Sequence, residues 1–162
     1  QKGILGDENI KALVFIDDMV ASGGTVIGHL DQLNLDLGEI LGEREILVVV
    51  GVICGTGDGI ENCQNHIDNS NFPFKIVLRV CDVIDSGHKV FAAESKIFED
   101  HEVTKALSMA RKYGARINNR HPLGYHDGQL LIVFKDNCPN NSLPIIWGSA
   151  NDPKWTPLFK RN

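Results

Sequence analysis

The sequence lacks the features that direct a chain to a membrane or to nucleic acid. Its longest apolar run covers residues 46–54, well short of the roughly 20 residues that cross a bilayer. The net charge is −5, which gives no general attraction to nucleic acid or to an anionic lipid surface. No signal-peptide pattern follows the first residue. We therefore expect a cytoplasmic globular protein with no membrane contact and no direct nucleic-acid contact.

Paired metal-binding and redox motifs are missing as well. The four cysteines form no C-x-x-C pair, and no histidine lies at zinc-finger spacing from them. We expect thiols in a reducing compartment rather than disulfides. We also expect no structural zinc.

The chain shows no internal repeat and no interdomain linker. Hydrophobic residues make up 43% of it, which is enough for one domain with a core. We expect a single domain over residues 1–162. Because the sequence begins with Gln rather than Met, we also expect the N-terminal part of that domain to lie outside it.

Apolar runs alternate with helical patterns along the chain. Strands are predicted at residues 12–16, 46–53, 74–81 and 130–134. Helices are predicted at residues 25–33, from the turn at residues 55–59 to about residue 68, and at residues 101–113. Asp100 is predicted to cap the last helix and Gly114 to end it. The alternation predicts an α/β fold with a mainly parallel sheet flanked by helices. The tail from Lys135 holds four of the six prolines and predicts an irregular C-terminal extension.

Residues 14–25, with the sequence VFIDDMVASGGT, combine an acidic pair with two adjacent glycines. Asp17 and Asp18 are predicted to lie beyond the carboxyl end of a strand, where open α/β sheets bind ligands. Residues 21–25 (Ala-Ser-Gly-Gly-Thr), called the glycine loop below, then lead into a helix. Successive backbone N–H groups and the positive end of that helix favour an anion.

The composition of the glycine loop is suited to a phosphate group. Gly23 and Gly24 let the backbone approach the anion closely, and the hydroxyls of Ser22 and Thr25 can donate further hydrogen bonds. The loop has no lysine, so it is not a Walker A loop. Carboxylates accept hydrogen bonds from the vicinal hydroxyls of a ribose. The acids and the loop together therefore fit a 5-phosphorylated ribose.

The segment ALVFIDDMVASGGT, residues 12–25, resembles the ribose-phosphate-binding signature of type I phosphoribosyltransferases. The resemblance implies that Asp17 and Asp18 are catalytic-site acids that hold the ribose hydroxyls. It implies that the loop from Ala21 to Thr25 binds the 5-phosphate of phosphoribosyl pyrophosphate, with Mg²⁺ bound through oxygens of the substrate and not directly by the protein. The transition state of that family is oxocarbenium-like, so negative charge near the ribose favours the reaction.

Other parts of the family's site are not found in the sequence. The family's pyrophosphate-binding loop and closing loop lie upstream of the signature, and only sixteen residues precede Asp17. We expect half of a catalytic site, with three alternatives open: the rest lies outside this sequence, another chain supplies it, or the protein binds without catalysing.

The C-terminal third has a resemblance of its own. Residues 140–147 (NNSLPIIW) and 155–159 (WTPLF) are similar to the end of phosphoribosyltransferase-like proteins from bacterial conflict and anti-phage loci, some of which lie beside retrons. This resemblance implies a role in prokaryotic defence. It also implies partner protein chains within a defence complex.

Two further stretches have alternative interpretations. The turn GTGDG, residues 55–59, does not match the dinucleotide-binding fingerprint G-x-G-x-x-G, because only one residue separates its second and third glycines. It is interpreted as a strand-to-helix turn, and the resemblance makes Thr56 and Asp58 candidates for the acceptor side. The basic residues between 111 and 121 are interpreted as charge at a helix C-terminus, with nucleic-acid contact as the alternative.

Asparagines and a tryptophan in the tail also have two interpretations. Asn140, Asn141 and Trp147 either satisfy turn backbone and pack the tail, which we favour, or line an acceptor pocket. The sequence as a whole predicts a protein that binds phosphoribosyl pyrophosphate, or a related nucleotide, with Mg²⁺, and that transfers phosphoribose to an unknown acceptor. The alternative is a non-catalytic nucleotide-sensing or assembly subunit that keeps the phosphate-binding loop.

Overall fold

A computed structural model describes residues 6–95, 97–135, 137–151 and 154–159. The chain forms two compact units, Gln1–Ile84 and Asp85–Asn162. Each unit has a hydrophobic cluster of its own.

The first unit alternates strands and helices. Its elements are β1 (Ala12–Val20), α1 (Gly24–Glu43), β2 (Leu47–Thr56), α2 (Gly57–Asn69) and β3 (Ile76–Ile84). The strands form one sheet in the order β1-β2-β3, and both pairings are parallel. The predicted α/β class with a parallel sheet is confirmed.

One face of this sheet is covered by both helices. Val48, Val50 and Val52 of β2 are buried in a cluster that includes Leu30 of α1 and Cys63 of α2. Alternate residues of a strand point to opposite faces, and helices that connect parallel neighbours by right-handed crossovers in one direction share a face. The core of the first unit therefore lies between the sheet and its two helices.

The other face of the sheet carries apolar side chains that remain exposed. Val14 and Ile16 of β1 are 61% and 81% exposed, and Ile53 of β2 and Val83 of β3 are about half exposed. Strands of a parallel sheet are usually apolar on both faces because both faces are covered. The apolar runs of the sequence thus reflect two faces, of which the two helices of this unit cover one.

Helix α1 is longer than the sequence suggested. The helical pattern was identified at residues 25–33, and residues 34–45 were expected to hold the end of the helix and a loop, but α1 continues to Glu43. Leu37, Ile40 and Leu41 pack on the core of the first unit. Tertiary packing on this stripe outweighs the low helix propensity of Gly38 and Gly42.

The second unit has little sheet. Its elements are the helices α3 (Asp100–Ile117) and α4 (Pro144–Trp147) and the short antiparallel strands β4 (Ala150–Asn151) and β5 (Lys154–Trp155). The predicted helix is present, but its N-cap is Glu99, without a side-chain hydrogen bond, and Asp100 is its first residue. Gly114 lies inside the helix rather than at its end. A side chain is excluded there because a Cβ would overlap the carbonyl of Pro122.

The strand predicted at residues 130–134 is not formed. This segment has only an isolated bridge between Leu130 and Ser142. The Ile132 carbonyl accepts hydrogen bonds from the Ser142 hydroxyl, at 2.7 Å, and from the Cys138 thiol. Side-chain donors occupy an acceptor that a strand ladder would need. The irregular C-terminal extension is otherwise as expected.

The described residues also bear on two of the expected absences. No helix in the described part of the chain combines the length and the apolar character needed to cross a membrane. No disulfide joins the four cysteines, all of which lie in the described residues; Cys54, Cys63 and Cys138 are buried and Cys81 is exposed.

Two glycines of α1 give opposite tests of the packing. A Cβ at Gly28 would meet nothing within 4 Å, whereas a Cβ at Gly42 would lie 2.7 Å from the carbonyl oxygen of Pro73. We expect Gly28→Ala to raise the free energy of unfolding by up to about 1 kcal/mol. We expect Gly42→Ala to lower it by about 1–3 kcal/mol, because the backbone must move. Urea denaturation of both variants checks this, and equal effects of the two would contradict the described packing.

Candidate functional site

The glycine loop connects β1 to α1 and is open to solvent. Ser22, Gly24 and Thr25 are exposed, and Ala21 is half-buried. Only Gly23 is buried. The loop therefore presents most of its surface to a ligand.

Gly23 determines how the loop turns into α1. It is the N-cap of the helix and has a left-handed backbone, with φ of +84°. It offers no side chain to cap the helix, and the first turn of α1 carries no acidic residue. The first N–H groups of a helix have no partner within the helix and carry partial positive charge. This helix end therefore has the donors and the charge that an anion needs.

The two acids lie within β1, not beyond it. Parallel pairing with β2 continues to Val20, so the strand extends past Asp17 and Asp18, which are half-buried. The Asp18 amide donates to the Asp17 carboxylate at 2.9 Å. The sequence placed the strand end too early because it followed only the apolar run and not the backbone pairing.

Asp17 and Thr25 line a groove with a volume of about 550 Å³. His29 of α1 continues the polar side of this groove, and apolar side chains, including Phe15 and Leu33, form most of the remaining wall. The structure thus brings one of the two predicted acids and one end of the glycine loop to the same opening.

Carboxylates also surround the end of the central strand. The pKa of the Cys54 thiol is raised, first by burial and then by the negative charges of Asp18 and Asp82. Asp82 pairs with Cys54 across β2 and β3. The carboxyl ends of β1 and β3 therefore carry negative charge on either side of β2, which suits hydroxyl donors or a cation that arrives with a ligand.

The residues predicted for the acceptor side begin α2. The Thr56 hydroxyl donates to the Ala21 carbonyl and accepts a hydrogen bond from the Gly59 amide, which caps α2. Asp58 is exposed in the first turn of this helix. Among the described residues, no three His, Cys, Asp or Glu side chains group closely enough to hold a metal ion.

Sequence reasoning missed Asn62, Cys63 and Asp82. The Asn62 side chain donates to the Ser22 carbonyl at 3.2 Å, and the Cys63 thiol donates to the Gly23 carbonyl at 3.7 Å. Asp82 could have been found, because it directly follows an apolar strand. Nothing local in the sequence marks Asn62 or Cys63, because their contacts span 40 residues.

The tail residues of the second unit serve its backbone. Asn141 donates to the Tyr125 carbonyl at 3.1 Å, and the indole N–H of Trp147 donates to the Ser142 carbonyl at 2.9 Å. These contacts agree with the structural interpretation of Asn141 and Trp147.

Two members of the basic cluster contact one aromatic ring. The charged groups of Lys112 and Arg116 lie 5.7 and 5.4 Å from the centre of the Tyr113 ring, which stacks on Trp155. Arg116 also lies in the last turn of α3, where a cation stabilises the helix dipole. Both contacts agree with the structural interpretation of this cluster.

Parallel β-α alternation, an acidic strand end and an open glycine loop together define a phosphoribosyltransferase-like protein. The chain belongs to the PRTase-CE family, whose model matches residues 1–161. Comparison with curated proteins found no match, and comparison with solved structures found none either. The predicted relationship to phosphoribosyltransferases is confirmed at the level of this family.

The two glycines of the loop are separable by substitution. A Cβ at Gly24 would meet only the Ser22 hydroxyl, at 3.8 Å, whereas one at Gly23 would lie 2.9 Å from the Cys63 sulfur on a left-handed backbone. We expect Gly24→Ala to leave the free energy of unfolding within about 1 kcal/mol of wild type. We expect Gly23→Ala to lower it by about 1–3 kcal/mol.

Ligand binding gives the second half of this test. If a phosphate approaches the loop backbone, Gly24→Ala weakens binding of phosphoribosyl pyrophosphate with Mg²⁺ roughly tenfold, because the added methyl group obstructs it. Gly28→Ala, on the same helix, is the control and should bind as wild type does. Isothermal titration calorimetry measures both, and unchanged affinity in Gly24→Ala would contradict close approach at this position.

Proposed function

We propose that the glycine loop and the β1 acids bind phosphoribosyl pyrophosphate, or a related ribose 5-phosphate ligand, with Mg²⁺ carried by the ligand. The observation that carries the proposal is the loop's orientation. Its carbonyls at residues 21 and 22 are hydrogen-bonded to Thr56 and Asn62, and that of Gly23 to Cys63 and to the Ile27 amide. The amides of the loop and the uncapped N-terminus of α1 are therefore left for the 5-phosphate.

The carboxylates have a consistent role beside this phosphate. Asp17 and Asp18 accept hydrogen bonds from the ribose hydroxyls in the proposed complex. Their charge, with that of Asp82, also stabilises positive charge that develops on the ribose when the bond to pyrophosphate breaks. Membership of a phosphoribosyltransferase-like family supports this chemistry. We propose transfer of phosphoribose to an acceptor that approaches from the side of Thr56 and Asp58.

A non-catalytic nucleotide sensor or assembly subunit is the second candidate, and the start of α2 favours it. This N-terminus is already capped by Thr56, and Asp58 in the first turn repels an anion. A pyrophosphate group is therefore less favoured at the end of β2 than a phosphate is at the start of α1. For both candidates we propose a cytoplasmic setting in prokaryotic defence, with partner chains, from the resemblance of the C-terminal residues.

Neutralising the acids tests the site. We expect Asp17→Asn and Asp18→Asn each to weaken binding of phosphoribosyl pyrophosphate with Mg²⁺ by roughly tenfold or more, because a hydrogen bond to a charged acceptor is lost. Isothermal titration calorimetry measures the affinity. Asp68→Asn, an exposed carboxylate near the end of α2, is the control for net charge.

The outcomes separate the candidates. Equal affinity in wild type and both acid variants would refute the site assignment. Release of pyrophosphate in the same samples, lost in the acid variants, supports the transferase. Tight binding without pyrophosphate release, when a low-molecular-weight cell extract is added as the source of acceptor, supports the sensor.

A further inference from the structure

Three side chains each donate a hydrogen bond to a carbonyl of the glycine loop: Thr56, the last residue of β2, to Ala21, Asn62 of α2 to Ser22, and Cys63 of α2 to Gly23. We call these three side chains the clasp. The three carbonyls are consecutive, and that of Gly23 also accepts the first backbone hydrogen bond of α1, from the Ile27 amide at 2.9 Å. The clasp and the start of α1 together therefore fix the orientation of three successive peptide groups.

Fixing the carbonyls also fixes the amides. In a trans peptide the C=O of one residue and the N–H of the next point in opposite directions. The carbonyls of Ala21 and Ser22 are directed at the start of α2, so the N–H groups of Ser22 and Gly23 point away from it. The carbonyl of Gly23 also accepts from the Ile27 amide, so the N–H of Gly24 points away from the body of α1. Successive N–H groups that face one side of a turn form an anion-binding concavity. The clasp thus has the geometry to set the directions of the donors that a phosphate would use.

We propose that Thr56, Asn62 and Cys63 are positioning residues for the 5-phosphate of the ligand. The inference rests on the proposed function of the glycine loop. It adds that the clasp holds this loop in place before the ligand binds. None of the three is required to touch the ligand. They act by holding the loop in its binding conformation before the ligand arrives, so that less ordering is needed on binding.

The packing around the clasp supports a rigid loop. A Cβ at Gly59 would overlap the carbonyl of Ala21, and one at Gly23 would lie 3.0 Å from the carbonyl of Gly59. The loop and the first turn of α2 are therefore in close backbone contact.

Asn62 is the member whose role can be measured most cleanly. It is exposed on α2, and alanine has a higher helix propensity than asparagine. Thr56 by contrast also caps α2, and Cys63 is fully buried in the core. Loss of Asn62 should therefore change the loop without unfolding the protein.

The matched control is Asn65→Ala, three residues further along the same exposed helix. We expect Asn62→Ala to raise the Kd for phosphoribosyl pyrophosphate with Mg²⁺ roughly threefold to tenfold, the effect of one lost hydrogen bond. We expect Asn65→Ala to bind as wild type does. Both variants should have melting temperatures at or above that of wild type. Isothermal titration calorimetry and thermal unfolding give the two readouts.

Substitutions at Thr56 separate an effect on ligand binding from an effect on stability alone. Thr56→Val removes the hydroxyl at nearly constant shape, and Thr56→Ser restores it. We expect a severalfold higher Kd for the valine variant and a Kd within about twofold of wild type for the serine variant. Binding is measured well below the melting temperatures, where a role in stability alone would leave the Kd of the folded valine variant unchanged.

The failure of this inference differs from the failure of the proposed function. If wild type binds the ligand and Asn62→Ala binds as tightly as Asn65→Ala, or Thr56→Val as tightly as Thr56→Ser, the clasp is not a positioning device and the site assignment stands. If wild type does not bind phosphoribosyl pyrophosphate with Mg²⁺, the proposed function and the inference that rests on it are both wrong.

Discussion

The candidate site depends on the hydrogen bonds that side chains at the end of β2 and in α2 donate to the carbonyls of the glycine loop. β1 and β2 are parallel neighbours, so the loop after β1 lies beside the start of α2. The carbonyls of Ala21 and Ser22 are bound there, that of Gly23 accepts from both Cys63 and the Ile27 amide of α1, and the amides are directed elsewhere. A loop without this support would have to be ordered by its ligand, at a cost in affinity.

Charge limits how an anionic ligand can bind to this surface. Residues 1–84 hold 13 acidic and 5 basic side chains, whereas residues 85–162 hold 8 and 11. The unit with the glycine loop is therefore strongly acidic, and its overall field opposes a phosphate. In the proposed complex, short-range donors of the loop and a divalent cation on the ligand overcome this field. The same acidity favours the positive charge of an oxocarbenium-like transition state.

Local patterns sufficed to predict most of the first unit, and long-range contacts account for the errors. The strands and the glycine loop can be predicted from apolar runs and turn residues, which are patterns of about ten residues or fewer. Helix α1 was predicted too short, because Gly38 and Gly42 are unfavourable locally and only packing on the sheet overrides them. Residues 130–134 have the composition of a strand, but side chains from residues 138 and 142 bind the Ile132 carbonyl. Asn62 and Cys63 could not be predicted, because their partners lie 40 residues away.

Gly23 has a structural role that cannot be recognised from the family signature alone. Its left-handed backbone and its contact with Cys63 make glycine favourable for stability whether or not a phosphate ever binds. A descendant of this protein that had lost its ligand would thus keep this glycine under selection for stability alone. Gly24 is under no such steric demand. Persistence of the second glycine is therefore the better guide to whether a related sequence still uses the loop.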